Sequence, residues 1–178
     1  MGKAAQLTRT LVARDPDGAG HALRVTALAL RLAEAVGAGP QRVEAIRSGG
    51  PLHDIGKLAV DPAILRKPGA LEPDELAEIQ THPIVGTRML AGIRSLRSAL
   101  DCVLYHHERW DGAGYPHRLG GHEIPFEARI LAVADAYDAM TSDRPYRPAM
   151  TRDEAVVEVE RCSGTQFDPE LAKAFLAL

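Results

Sequence analysis

Aromatic residues make up only 4% of the 178 residues, so a core must be built from Leu, Ala, Val and Ile. There are two cysteines, Cys102 and Cys162, with no metal-ligand or redox spacing. They read as packing residues in a reduced, cytoplasmic setting. No apolar run approaches membrane-spanning length, and the first fifteen residues carry no apolar stretch of the secretory kind. The net charge of −3 argues against binding bulk duplex nucleic acid, which needs a basic face. It leaves room for a small phosphorylated ligand, because a pocket can be locally positive on an acidic protein. Alternating strand patterns of useful length, internal repeats and low-complexity segments are all missing.

What is present is helical periodicity. The segment 21–37 repeats Leu on an Ala background and ends at Gly37, a good helix stop. The segment 40–57 opens with Pro40 and carries Val43, Ile46 and Leu52 as its buried stripe. Two short helices, 72–83 and 83–90, are expected on either side of Pro83. The stretch 94–107 is amphipathic, and 124–142 is apolar on nearly all sides, as a central helix would be. Thr151 and Glu154 form a capping pattern for 151–162, and Asp168 with Pro169 opens the last helix. The stretches 60–69, 111–125 and 143–149 read as connections. The expected fold is all-α, one compact domain over residues 1–178.

Five of the seven histidines sit where ligands would make sense: His21, His53, His82, His106 and His107. His117 and His122 lie in a glycine-rich loop and read as solvated. Any one of the five also reads as a hydrogen-bonded core side chain; together they favour a metal. His53 and Asp54 are adjacent at a helix end. They can place a nitrogen and a carboxylate on one cation, and Asp54 has a second oxygen for another. Imidazoles with a bridging carboxylate suit Fe, Mn or Zn better than Ca. Asp135 falls on an otherwise apolar helix face, where a carboxylate is costly unless paired or metal-bound. Asp138, one turn away, is either a hydrogen-bonding partner behind the ligand candidates or a cap-like polar group. Lysine is scarce, with four in the chain, which draws attention to Lys57, three residues after Asp54. It could hold a phosphate oxygen or simply be solvated. Arg144 and Arg147 could grip phosphate or a guanine edge, or lie in solvent.

In order along the chain, "HALRV", "HDIGK", "THPIVG", "HHERWDGAGYP" and "ADAYDAMTSDRPYR" together resemble the HD-GYP domain, a branch of the HD metal-dependent phosphohydrolases. The resemblance spans nearly the whole chain. It implies a helical domain of the HD/PDEase-like type with two or three divalent metals, Fe or Mn, that hydrolyses the bacterial messenger cyclic di-GMP. Carried over by motif, it implies His21, His53, Asp54, His82, His106, His107 and Asp135 as metal ligands, with Asp54 bridging. Lys57, Arg144 and Arg147 match nucleotide contacts. Asp17, four residues before His21, is a candidate ligand for a third metal, if a helix starts at Pro16.

The implied reaction is attack on phosphorus by a hydroxide bridging two metals, with Asp54 and Lys57 as the catalytic residues. The products would be pGpG and, after a second cut, GMP. Two other readings stand beside it: hydrolysis of another cyclic dinucleotide, or a non-catalytic domain that binds cyclic di-GMP or a partner. GGDEF-type diguanylate cyclases and a regulatory sensory domain are the partners such a family implies.

Overall fold

The computed structural model describes Thr10, residues 16–143 and residues 148–178, without the side chains of residues 16, 17 and 19. Among these, regular structure is helical throughout, with one isolated bridge between Ser163 and Phe167. Two long helices form the centre: α1 (Pro16–Ala35) and α7 (Phe126–Thr141) pack along each other. Val25, Ala29, Leu32 and Ala33 face inward from α1 at helical spacing, and all are fully buried. They meet Ile130, Leu131, Val133 and Ala134 of α7, also fully buried. With aromatics scarce, alanines let the two backbones come close while leucines and isoleucines fill the gaps. Burying each large aliphatic side chain contributes about 1.5–3 kcal/mol.

Against this pair pack α2 (Pro40–Gly49), α6 (Leu100–Tyr105), α8 (Arg152–Arg161) and α9 (Pro169–Leu176), while α5 (His82–Leu90) packs on α6; α3 (Pro62–Leu65) and α4 (Pro73–Ile79) are short helices of the connection before α5. The caps follow the sequence. Gly37 takes a positive φ of 65° just past α1, where Cβ-bearing residues are strained. Thr151 and Glu154 close a reciprocal capping box on α8. Asp168 accepts hydrogen bonds from the backbone N–H groups of Glu170 and Leu171 at the start of α9.

Three expected boundaries differ. The segment 40–57 is not one helix: α2 ends at Gly49, and Gly50–Leu52 and Ile55–Ala59 are separate 3₁₀ turns. The Gly-Gly-Pro sequence favours leaving the helix there. Residues 94–107 divide into a 3₁₀ segment, Arg94–Ala99, and the short α6. The connection 60–69 contains α3, capped by Asp61, whose carboxylate accepts from the Ala63 N–H at 2.7 Å. Pro83 does separate two helices, but from inside the first turn of α5, where a missing N–H costs nothing.

A second cluster, formed by Leu52, Ile55, Leu90, Leu96, Ala99 and Val103, fixes the 3₁₀ turns against α5 and α6. Here Gly56 is decisive. A Cβ at this position would lie 1.9 Å from the His82 carbonyl oxygen and 2.7 Å from the Gly86 nitrogen. Only glycine lets the His53–Asp54 turn approach the start of α5 this closely, and that approach brings Asp54 to His82.

Candidate metal centre

Each ligand candidate comes from the end or inner face of an element. His21 is on α1, His53 and Asp54 lie between two 3₁₀ turns, His82 opens α5, His106 and His107 follow α6, and Asp135 is on α7. The structure gathers six of them into two overlapping groups and sets the seventh, Asp135, 3.0 Å from His21. One group of donor atoms joins Asp54, His82, His106 and His107, and a second joins His21, His53 and Asp54, with every pair of atoms within 4.8 Å. Asp54 belongs to both.

Three rings are oriented in the same way. His53, His82 and His106 each point Nδ1 at the carbonyl three residues earlier, at 2.7, 2.7 and 3.0 Å. A carbonyl only accepts, so Nδ1 carries the proton and the lone pair of the neutral ring is on Nε2. Those Nε2 atoms face inward. His82 Nε2 lies 3.2 Å from Asp54 Oδ1 and 3.3 Å from His106 Nε2. His82 brings a lone pair rather than a hydrogen to that oxygen, and Asp54 Oδ1 and His53 Nε2 are buried without a hydrogen-bond partner. Lone pairs and a carboxylate oxygen converging with too few protons between them form the environment of a divalent cation. The donor set fits a metal.

Electrostatics agree. Burial alone would raise the Asp54 carboxyl, but the Lys57 ammonium beside it holds it well below the usual range. Lys57 Nζ donates to Asp54 Oδ2 at 2.6 Å. Burial pushes His106 well below its ordinary value and lowers His107 to about 4. Both are therefore neutral imidazoles at pH 7.

His21 is held differently. Burial lowers its pKa, but its bonds to two carboxylates win and raise it. Its Nε2 lies 3.0 Å from Asp135 Oδ1, and its Nδ1 donates to Asp138 Oδ2 at 2.7 Å. Asp135 would be raised by burial, yet its bond to His21 drives it far below the carboxylate range. Asp138 also accepts from Arg24 Nε at 2.7 Å and Arg24 Nη2 at 2.9 Å. Of the two roles open for Asp138, the structure selects the hydrogen-bonding one: it fixes the His21 ring rather than capping a helix. Arg24 was not singled out in the sequence, although it lies three residues from His21 on the same face.

The loop after α6 folds around Glu108. This carboxylate is buried and accepts from the backbone N–H groups of His117 and Leu119, at 2.7 and 3.1 Å. Gly114 backs directly onto the strand of chain it returns along: a Cβ there would sit 2.4 Å from the Arg109 nitrogen. The return lays the Tyr115 ring on His107, with centroids 4.8 Å apart and planes 28° off parallel. Glu108 was also missed; a lone acid in a glycine-rich loop with several free N–H groups was its only signal. His117 and His122 are exposed, as expected, although the His122 ring meets Trp110 edge-on. A cavity of about 340 Å³ opens beside the cluster, touching His106, His107, Asp135, Tyr115, Arg109 and Gln166.

Three candidates stand apart. Arg144 and Arg147 lie outside the described residues. For Asp17, the backbone of Pro16–Ala35 is helical, one turn from His21, but its side chain lies outside the described residues.

Residues 6–171 match the HD domain family. The chain belongs to the HD domain family. A cyclic di-GMP phosphodiesterase of Thermotoga maritima is 43% identical over 93% of this chain and 45% of its own length. A 3′3′-cGAMP-specific phosphodiesterase of Vibrio cholerae is 36% identical over 96% of this chain and 33% of its own. This HD domain thus spans less than half the length of these two relatives. Among solved structures, a Bdellovibrio bacteriovorus protein of the HD-GYP kind superposes with a TM-score of 0.72 at 19% identity, over 89% of this chain and 51% of that one, which shows a shared fold. The HHERWDGAGYP loop lies within the matched residues. HD domains bind divalent metals, and the His/Asp cluster described above could hold them. No described helix is long and apolar enough to cross a membrane.

Proposed function

We propose that this HD domain is a metal-dependent phosphodiesterase that hydrolyses cyclic di-GMP to pGpG, with GMP from a second cut. The observation that carries the proposal is the convergence of unprotonated imidazole nitrogens on an unpartnered Asp54 oxygen, in a chain similar to enzymes that cleave cyclic dinucleotides. We assign His21, His53, Asp54, His82, His106, His107 and Asp135 as the residues that would hold two divalent ions, Fe or Mn, with Asp54 shared. Asp17 is the candidate for a third. When bound, the ions supply Lewis acidity toward a phosphodiester and toward water.

The chain's own residues do the rest. The backbone carbonyls and Asp138 fix the ring orientations before any substrate arrives, so no ligand reorganises during the reaction. Lys57, charged beside Asp54, is placed to hold a non-bridging phosphate oxygen, and Arg144 and Arg147 would hold the nucleotide further out. Tyr115, stacked on His107, closes one wall of the cavity against water. We read residues 1–178 as one such domain, working in the cytoplasm under a sensory domain or beside a GGDEF-type cyclase.

The second reading is hydrolysis of another cyclic dinucleotide, supported by the similarity to a cGAMP-specific enzyme. The test is turnover of cyclic di-GMP, 3′3′-cGAMP and cyclic di-AMP by anaerobically purified protein supplied with Fe or Mn, beside Asp54→Ala, with products resolved by chromatography. Cleavage of cyclic di-GMP by the wild type and none by Asp54→Ala is the expected result. Nucleotide binding without turnover would make this a sensor instead.

A further inference from the structure

The cavity beside the cluster is also lined by Arg109 and Gln166, which the phosphodiesterase chemistry leaves without a task. Arg109 is clamped first. Its Nε and Nη2 donate to the two oxygens of Asp111, at 3.0 and 2.6 Å. This bidentate pair fixes the guanidinium plane and cancels its charge. The remaining arm, Nη1, donates to Gln166 Oε1 at 3.3 Å. A guanidinium has no acceptor, so the amide of Gln166 must turn its oxygen toward Arg109. Its NH₂ end is the one left for a ligand.

The backbone under Gln166 is pinned as well. Its carbonyl accepts from the Trp110 N–H at 3.1 Å, its N–H donates to the Cys162 carbonyl at 3.0 Å, and the neighbouring Thr165 carbonyl accepts from the Asp111 N–H at 2.8 Å. Gln80, the other amide lining the cavity, makes no side-chain hydrogen bond to a described residue and can turn either way. Gln166 is therefore a donor of fixed sense in a wall whose nearby positive charge is already neutralised. Such a wall suits a neutral acceptor, a purine carbonyl or ring nitrogen, better than a second phosphate. Guanine and adenine both present N7 as an acceptor, but adenine has an N6 amino donor where guanine has the O6 acceptor, so a donor at that edge position tells them apart.

Resting on the phosphodiesterase reading above, we infer that Gln166, oriented by Arg109, is a specificity-determining residue that favours guanine over adenine in the cyclic dinucleotide. The experiment measures kcat/KM for cyclic di-GMP, 3′3′-cGAMP and cyclic di-AMP on the metal-loaded wild type, Gln166→Glu and Gln166→Ala. Binding of GMP and AMP, followed by titration calorimetry, gives the same ratio without turnover. The wild type should favour guanine. Gln166→Glu replaces the donor with an acceptor and keeps the contact to Arg109, so the guanine-to-adenine ratio should fall about tenfold, the scale of one hydrogen bond exchanged for a repulsion. Gln166→Ala should lower the ratio in the same direction and carries the test if the glutamate variant does not fold.

A wild type that prefers adenine, or a ratio unmoved by both variants, overturns the inference while leaving the phosphodiesterase intact. A wild type that neither cleaves nor binds any of the three nucleotides overturns the phosphodiesterase reading, and this inference with it.

Discussion

Replacing Gly56 with alanine should damage the metal centre from outside it. The new methyl would start 1.9 Å from the carbonyl oxygen of His82, a distance a Cβ must open to at least about 3.0 Å. Nothing flexible lies in the way: the obstacles are the backbone of His82 and the nitrogen of Gly86. Either α5 or the Ile55–Ala59 turn must therefore move by roughly 1 Å, against a cluster in which Ile55, Leu90 and Val103 are fully buried. Overpacking of this severity costs about 3 kcal/mol, and for a chain of this length that lowers Tm by about 6–12 °C. The same movement separates Asp54 from His82, now 3.2 Å apart, so bound metal should fall as well. Thermal melts of the metal-free protein and metal analysis after reloading measure the two effects. A variant that melts within 2 °C of the wild type and reloads fully would refute the idea that this contact sets the centre's geometry.

Two further outcomes are expected. Asp138→Asn should leave the fold intact but weaken metal affinity about 10- to 100-fold, because the His21 ring loses its carboxylate partner; an unchanged affinity in a chelator competition would contradict this. The metal-free protein should lose stability as pH falls from 6.5 toward 4. His107 stays neutral in the fold down to about pH 4, whereas an unfolded histidine takes up a proton near 6.5. At about 1.4 kcal/mol per pH unit, that window amounts to about 3 kcal/mol. His106 acts in the same sense, while His21, raised by its two carboxylates, contributes stability that is present below 6.5 and fades as pH rises. Two neutral rings outweigh one charged ring, so denaturant melts from pH 7 to pH 4.5 should shift downward; a flat or rising profile would show the balance reversed.

The helices around α1 and α7 were legible in the sequence because apolar periodicity and caps such as Thr151–Glu154 are local signals. The break at Gly49 was not, because a Gly-Gly-Pro run marks a weak point without saying where the chain turns; the contact between Gly56 and α5 is tertiary. The histidines and Asp54 stood out as a motif set, and the structure shows them converging. What the sequence left open was orientation. Asp138 had two roles until its distance to His21 chose one. Glu108 works by accepting from N–H groups nine and eleven residues away, which no short motif reveals. Gln166 carries no signal of its own, since its meaning comes from Arg109, fifty-seven positions earlier.

The hydrogen bonds from three imidazoles to the carbonyls three residues behind them bear on the order of assembly. The core between α1, α7, α8 and α9 is held by aliphatic and aromatic side chains, whose burial needs no cation. The rings then arrive already turned and already in the tautomer that a metal accepts, with mutual repulsion as the local cost of having no guest. The scaffold is therefore expected to form without metal and to take it up afterwards; loss of the helical circular-dichroism signal on chelation would contradict this.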